Sequence, residues 1–105
     1  MASIFRVDET DVPWVEYRGS DSIRFKALSH LGTDVPSMQY VEYAAGYVDP
    51  VHSHDTGEFL VVTAGTLWLE GEESGPGSII FIPRDTEYSV QGGDEGVRFF
   101  RVVVA

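Results

Sequence analysis

The stretch that decides the fold spans residues 46–65 and reads GYVDPVHSHDTGEFLVVTAG. It holds two histidines two residues apart, His52 and His54, and a carboxylate four residues further on, Glu58. Side chains two residues apart on a β-strand point to the same face of the sheet. If residues 55–57 form a three-residue hairpin loop, His54 and Glu58 face each other on paired strands, with Cβ atoms roughly 4.5–5.5 Å apart. The spacing therefore predicts two imidazoles and a carboxylate around one first-row metal ion, with the other coordination positions open.

A simpler interpretation of the histidine pair is that it lies on an exposed strand and binds nothing. The glutamate and the two glycines that bracket the stretch, Gly46 and Gly65, favour the metal site over that interpretation.

Length and composition limit the classes of protein to consider. The 105 residues predict one domain, 1–105, without cysteine and therefore without disulfides or a thiolate cluster. The N-terminus lacks the apolar stretch of a signal peptide, and the longest apolar runs, such as Ile79–Ile82, are too short to cross a bilayer. We therefore expect a soluble, cytoplasmic protein. A net charge of −10 with only 7 scattered basic residues argues against nucleic acid and anionic membranes as partners.

The hydrophobic pattern has the short period of β-strands. Runs rich in β-branched and aromatic residues alternate with turn signals, and no window has a helical period. The predicted strands are 12–17, 23–28, 38–43, 59–63, 66–69, 78–82, 87–90 and 97–104, with turns that include 64–65, 71–77 and 91–96. Many short strands at this spacing predict an all-β sandwich or barrel.

Two of these strands, residues 59–62 and 79–82, are apolar on both faces. A sheet face in water would alternate with polar residues, so the outer face of these strands should also be covered. The N-terminal strands, within residues 1–37, could cover it. A second subunit could do so equally, and we expect a homodimer.

At these residues the chain resembles the cupin superfamily. The pattern of Gly46, His52, His54, Glu58 and Gly65 matches the first cupin motif position for position. In the second motif, Gly77 and Pro83 have the required spacing, but Asp85, Tyr88 and Gly92 stand where the family has glycine, histidine and asparagine. The resemblance covers about residues 38–104. It implies a double-stranded β-helix, or jelly-roll barrel, with a metal centre inside its mouth.

Carried over from the family, His52, His54 and Glu58 are expected metal ligands, and Tyr88 takes the position of the last one. The tyrosine could ligate as phenolate, stay neutral and hydrogen-bond a metal-bound water or substrate, or only pack; we favour the second. Glu58 and Tyr88 are also the expected catalytic pair, as base and proton donor. The remaining histidine, His30, is expected to be structural or exposed.

Several other side chains could line the site, and the sequence does not decide which strand face points inward. Tyr40 and Glu42 share one face of their strand, and Phe99 and Arg101 share one face of the last strand. Trp68 and Phe81 could form pocket walls, although packing in the core is the expected role. Arg84 could hold a substrate carboxylate or be solvated. The alternation leaves these choices open.

An open site of two imidazoles and one carboxylate suits Fe(II), and it would also accept Mn, Ni, Zn or Cu. We therefore expect a metal-dependent enzyme acting on a small molecule, and we favour a non-haem dioxygenase for an oxygenated or aromatic compound. A metal-dependent isomerase, lyase or cyclase is the variant. A non-catalytic metal-binding or ligand-binding sensor module, and a metal-free structural domain with a degenerate site, are the alternatives.

Overall fold

The computed structural model describes residues 4–29 and 36–104. Within those ranges it consists of seven β-strands and one short 3₁₀ turn, Glu9–Asp11, in agreement with the predicted all-β class. In chain order the strands are β1 (Val15–Tyr17), β2 (Ser20–Ala27), β3 (Met38–Tyr43), β4 (Gly57–Leu69), β5 (Glu72–Ser74), β6 (Ile79–Ile82) and β7 (Val90–Val104). No helix in the described ranges is long and apolar enough to cross a membrane.

All strand pairs are antiparallel and form one sheet in the order β1-β2-β3-β7-β4-β5, with β6 also on β4. The two longest strands, β4 and β7, pair along most of their length. The first part of β4 pairs with β6 and its last residues pair with β5. Two register shifts in the β4–β7 ladder separate these parts, and bulges of this kind bend a sheet. The long β4–β7 pair therefore belongs to both halves of the predicted barrel.

Two predicted turns are wrong, because the glycines in them mark bulges inside strands. Residues 64–65 lie within β4 and residues 91–96 lie within β7. Gly65 and Gly96 have φ of 71° and 76°, and a Cβ on Gly65 would overlap the Gly96 backbone. Glycine is needed there because the backbones of β4 and β7 approach each other so closely. The predicted turn 71–77 is also partly wrong, because it contains the short strand β5.

The inner face of the sheet carries the hydrophobic core. Strand alternation places Val41 and Tyr43 of β3, Leu60 and Val62 of β4, and Phe99 of β7 on this face, all of them buried. Tyr43 packs edge-on against Phe99 at a ring-centroid distance of 5.4 Å. The next inward position on β7 after Phe99 is Arg101, so this face brings a charged side chain to the end of the core.

The outer face is covered in one half only. Trp14, just before β1, packs on Tyr40 at 5.3 Å, and Tyr40 stacks on Phe100 at 4.3 Å. The N-terminal segment therefore covers the outer face of β3 and β7, whereas the predicted cover was for residues 59–62 and 79–82. In the other half, Ile79 and Phe81 are 69% and 50% exposed. The described N-terminal residues do not bury that half.

Candidate functional site

The predicted hairpin between His54 and Glu58 is wrong. The backbones of His52 and Tyr88 form an isolated antiparallel bridge, in which each N–H donates to the other residue's carbonyl, at 3.0 and 2.9 Å. The Asp85 N–H also donates to the His54 carbonyl, at 2.7 Å. Strand β4, which begins one residue before Glu58, pairs with β6 and β7 instead. The segment that follows β6 thus runs beside the histidines.

The bridge places three rings of the predicted site together. The His52 and His54 ring centroids lie 4.9 Å apart at 81°, and the Tyr88 ring lies 4.5 Å from His52 and 6.2 Å from His54. The substitution of tyrosine for the expected histidine in the second motif therefore leaves Tyr88 next to the histidine pair. This neighbourhood is the one that the resemblance predicted.

Glu58 lies behind these rings and is fully engaged. Its side chain is 1% exposed. The Tyr88 hydroxyl donates to one carboxylate oxygen, and the Nε–H of Arg101 donates to the other. Arg101 Nη1 also donates to Gln39 Oε1, at 3.4 Å. A buried carboxylate must be paired, and a neutral phenol together with a guanidinium provides that pairing.

The ring of His52 has a defined orientation. Its Nδ1 lies 2.7 Å from the Pro50 carbonyl oxygen, which can only accept, so Nδ1 carries the proton of the neutral ring. Asp49 Oδ2 is 3.5 Å from the same nitrogen and also accepts a hydrogen bond from the Tyr43 hydroxyl. The neutral His52 therefore has its lone pair on Nε2, which makes this atom available as a base or ligand.

The electrostatics of the site favour the neutral forms of His54 and Tyr88. Burial lowers the pKa of His54 below its ordinary value; the charge of Arg101 adds to this effect and the charge of Glu58 opposes it. Burial, followed by the hydrogen bond to Glu58, raises the pKa of Tyr88 well above its ordinary range. Tyr88 is therefore a neutral hydrogen-bond donor in this arrangement. Its acceptor is Glu58.

A cavity of about 650 Å³ opens in front of these groups. Its polar end includes His52, His54, Tyr88, Gln39 and Arg101. Its other walls are largely aromatic and aliphatic and include Phe25, Val41, Tyr43, Tyr47, Leu60 and Phe99. Glu58 is linked to the cavity through Tyr88 and Arg101, which donate hydrogen bonds to it and line the cavity.

The structure resolves the choices that strand alternation left open. Phe99 and Arg101 point into the cavity, while Tyr40 and Glu42 lie on the outer face. The signal that could have found Arg101 is that an arginine alternates with the core residue Phe99. Of the remaining candidates, Trp68 and Phe81 are 38% and 50% exposed, so neither has the expected core position.

Two further sequence candidates are settled simply. Arg84 is 68% exposed and pairs with its neighbour Asp85, so it is solvated in the turn. His30 lies outside the described residues.

These side chains fit a metal ion only in part. His52 and His54 are adjacent, and the Nε2 of His52 is available. Glu58, however, is bound to Arg101, whose charge would repel a cation at the same point. Within residues 4–29 and 36–104, no group of three or more His, Asp or Glu side chains is arranged to hold a metal. Ligation by His52, His54, Glu58 and Tyr88 stays a prediction.

Comparisons with known proteins agree on the fold. The polyketide cyclase RemF from Streptomyces resistomycificus is 28% identical, with a TM-score of 0.81 over 96% of this chain and 79% of that one. An RmlC-like cupin protein from Ralstonia eutropha is 16% identical, with a TM-score of 0.86 over 98% of this chain and 69% of that one. The structure of Rhodobacter sphaeroides SigE in complex with the anti-sigma ChrR matches at 19% identity and a TM-score of 0.74, over 90% of this chain and 50% of that one.

A comparison with curated protein sequences finds no match. The family model described as the ChrR cupin-like domain matches residues 3–103, which is nearly the whole chain. The match agrees with the jelly-roll neighbours and with the complete first motif. The chain therefore belongs to the cupin superfamily, in the ChrR cupin-like domain family.

Proposed function

We propose that this cupin binds an oxygenated aromatic small molecule and catalyses proton transfer on it, as in a cyclase or isomerase reaction. The observation that carries the proposal is the cavity of about 650 Å³, which has an aromatic wall and a polar end. Its volume is in the range of small-molecule sites. Support also comes from the 28% identity to a polyketide cyclase over 96% of the chain.

The aromatic wall would bind and orient the planar part of the ligand. Tyr43 contacts both Tyr47 and Phe99 edge-on, with centroid distances of 5.0 and 5.4 Å, so the rings hold one another in place. Rigid aromatic surfaces of this kind bind planar ligands with little loss of side-chain freedom.

His52 would be the base. With Nδ1 held by the Pro50 carbonyl, Nε2 can take a proton from a carbon next to a ketone. The electron pair of the broken C–H bond then moves into the enolate, and the positive charge that develops on the ring is stabilised by Asp49, 3.5 Å away. Return of the proton from His52 to another position completes an isomerisation. In a cyclisation the enolate carbon attacks a second carbonyl, and the oxygen of that carbonyl takes the proton back from His52.

The test uses 1-hydroxy-2-acetonaphthone, a planar ketone, and has two readouts. Calorimetry measures binding, and NMR in D₂O measures deuterium incorporation into the acetyl methyl group. We expect binding by the wild type and catalysed exchange, which His52→Gln abolishes while binding remains. Ser53→Ala, between the histidines, is the control and should behave as the wild type. Failure of the wild type to bind this ligand or related hydroxylated naphthalenes would contradict the proposal.

A metal-dependent dioxygenase that uses Fe(II) is the second candidate. It is supported by the adjacent imidazoles, 4.9 Å apart, and by the orientation of His52, which frees Nε2 as a ligand. A bound metal would supply a Lewis acid and, with iron, a site for dioxygen. Metal analysis of protein purified without chelator, compared with the His52→Ala/His54→Ala variant, tests it. Stoichiometric metal and oxygen consumption with phenols or diketones would favour this candidate over the first.

A ligand sensor without catalysis is the remaining alternative. A sensor would use the same cavity. The structural match between this chain and the complex that contains ChrR, at 19% identity, supports a shared fold and does not by itself support a sensor role. Tight binding of a hydroxylated naphthalene without exchange or oxygen consumption is the result expected for a sensor.

We also propose that the protein is a homodimer in the cytoplasm. Three apolar side chains lie on the outer face and are 38%, 69% and 50% exposed: Phe59, Ile79 and Phe81. The ring centroids of Phe59 and Phe81 are 5.0 Å apart. Contiguous exposed apolar side chains are typical of interfaces. Sedimentation equilibrium should give a dimer for the wild type and a monomer for Phe81→Asp, whereas Glu70→Gln, a change elsewhere on the surface, should leave the dimer intact. A monomeric wild type would contradict the proposal.

A further inference from the structure

The feature that neither the motif nor the family model assigns is the guanidinium of Arg101 at the polar end of the cavity. Its Nε binds the buried carboxylate of Glu58, and its Nη1 donates to Gln39. The side chain is 20% exposed and borders the cavity that contains the histidines. A cation therefore already pairs with the carboxylate that the first motif would give to a metal.

Arginine keeps donors for a ligand after these contacts. A guanidinium carries five N–H groups on three nitrogens, and the contacts with Glu58 and Gln39 use one on Nε and one on Nη1. Because Glu58 holds Nε and Gln39 contacts Nη1, the orientation of the group is largely fixed before a ligand arrives. Donors that are fixed in advance are the arrangement that stabilises negative charge developing on an oxygen.

We propose that Arg101 is the substrate-binding residue for a carbonyl oxygen, taking the electrostatic role that a metal ion would otherwise have. This inference rests on the proposed function and names its substrate class, a ketone next to a phenol or enol. The proton lost from carbon goes to His52, and the resulting enolate oxygen is held by Arg101. The balance requires no oxidant and no further reactant.

The charge of the site decides between a ketone and a fixed anion. Glu58 already neutralises Arg101, and the whole chain has a net charge of −10. A carboxylate ligand would therefore meet repulsion as well as attraction. A carbonyl is neutral when it binds and becomes negative only during the reaction, so it benefits from the guanidinium when the charge develops.

The experiment measures binding of 1-hydroxy-2-acetonaphthone and of its match without the carbonyl, 2-ethyl-1-naphthol, by calorimetry after chelator treatment. The wild type should bind the ketone about tenfold more tightly than the naphthol, the effect of one hydrogen bond from a charged donor. Glu58→Gln keeps Arg101 and removes the competing charge, so the preference for the ketone should rise.

Arg101 is then replaced in the Glu58→Gln variant, so that its loss leaves no buried carboxylate without a partner. Glu58→Gln/Arg101→Met should lose the preference for the ketone while it still binds the naphthol, and Glu58→Gln/Arg101→Lys should keep part of it. Arg98→Met removes the same charge from the outer face of the same strand and should change neither affinity. Circular dichroism confirms the fold of each variant.

The outcomes separate this inference from the function on which it rests. If neither compound binds to the wild type, the proposed function and the inference both fail. If both bind equally, or if the double variant with methionine keeps the preference, the inference is overturned and the binding function remains. A preference that appears only after Zn²⁺ or Fe²⁺ is restored would assign the role to a metal and also overturn the inference.

Discussion

Two glutamates of this sheet are each bound by arginine, one on each face. Inside, Glu58 is 1% exposed and is held by Arg101 and the Tyr88 hydroxyl. Outside, Glu42 is 21% exposed and joins Arg24 and Arg98, which are 36% and 44% exposed. The two groups use similar chemistry, but only the inner carboxylate is almost completely buried.

The difference in burial assigns the two groups different roles. The outer arginines flank Trp14 with cation-to-ring distances of 5.2 and 5.4 Å, and Lys26 lies at 4.8 Å from the same ring. This group attaches the N-terminal segment to the sheet. The inner pair has lost most of its hydration, a cost that well-packed apolar residues would avoid. Its position at the end of a ligand cavity is consistent with a functional role.

The largest expected effect is on the inner pair. Arg101→Met leaves the Glu58 carboxylate buried without its cation, and breaking a pair in this way costs about 3 kcal/mol or more of unfolding free energy. Denaturant unfolding checks the value. Arg98→Met is the matched control on the outer face and should cost less than about 1 kcal/mol. Equal losses in the two variants would remove the distinction between the faces.

A smaller effect is expected when Tyr88 loses only its hydroxyl. Tyr88→Phe keeps the ring beside His52 and removes one donor from Glu58, which should cost about 1–3 kcal/mol. Because the hydroxyl donates to the carboxylate of Glu58, we expect the metal content of the protein to be unchanged. Loss of bound metal in this variant would indicate ligation by the tyrosine.

The smallest effect is expected for Glu42→Gln, at less than about 1 kcal/mol near neutral pH and less again in high salt. Burial opposes the charge of Glu42, but hydrogen bonds from Arg24 and Arg98 outweigh it and hold the pKa of the carboxyl below its ordinary value. A lowered folded pKa means that the stabilisation is present above the unfolded pKa of about 4.3 and is lost as the pH falls through the folded value. The difference between wild type and variant should therefore disappear on acidification, as urea unfolding at several pH values can measure.

The sequence predicts the fold well because strand periodicity is a local signal. Strand β3 was predicted with the bounds that the structure has, Met38–Tyr43, and β6 differs by one residue. Two of the errors occur at Gly65 and Gly96, where glycine permits a bulge within a strand as readily as it ends one. The close approach of Gly65 and Gly96 is a contact between residues that are distant in the sequence. The local sequence therefore could not distinguish a bulge from a turn.

The site is predicted less completely, because its decisive contacts are not local. The motif locates His52, His54 and Glu58, and the resemblance locates Tyr88 beside them. Arg101 is 43 residues away from Glu58 along the chain, and only the pairing of β4 with β7 brings the two together. The partner of the carboxylate, which changes the chemistry of the site, follows from sheet register and not from motif spacing.

The most direct measurement is a crystal structure of the protein grown with Zn²⁺, with anomalous data collected at the zinc edge. The arrangement described above predicts that Glu58 remains bound to Arg101 and Tyr88 and that no zinc peak lies beside the carboxylate. A zinc peak about 2.0–2.2 Å from the Glu58 oxygen and from the nitrogens of both His52 and His54 would contradict it.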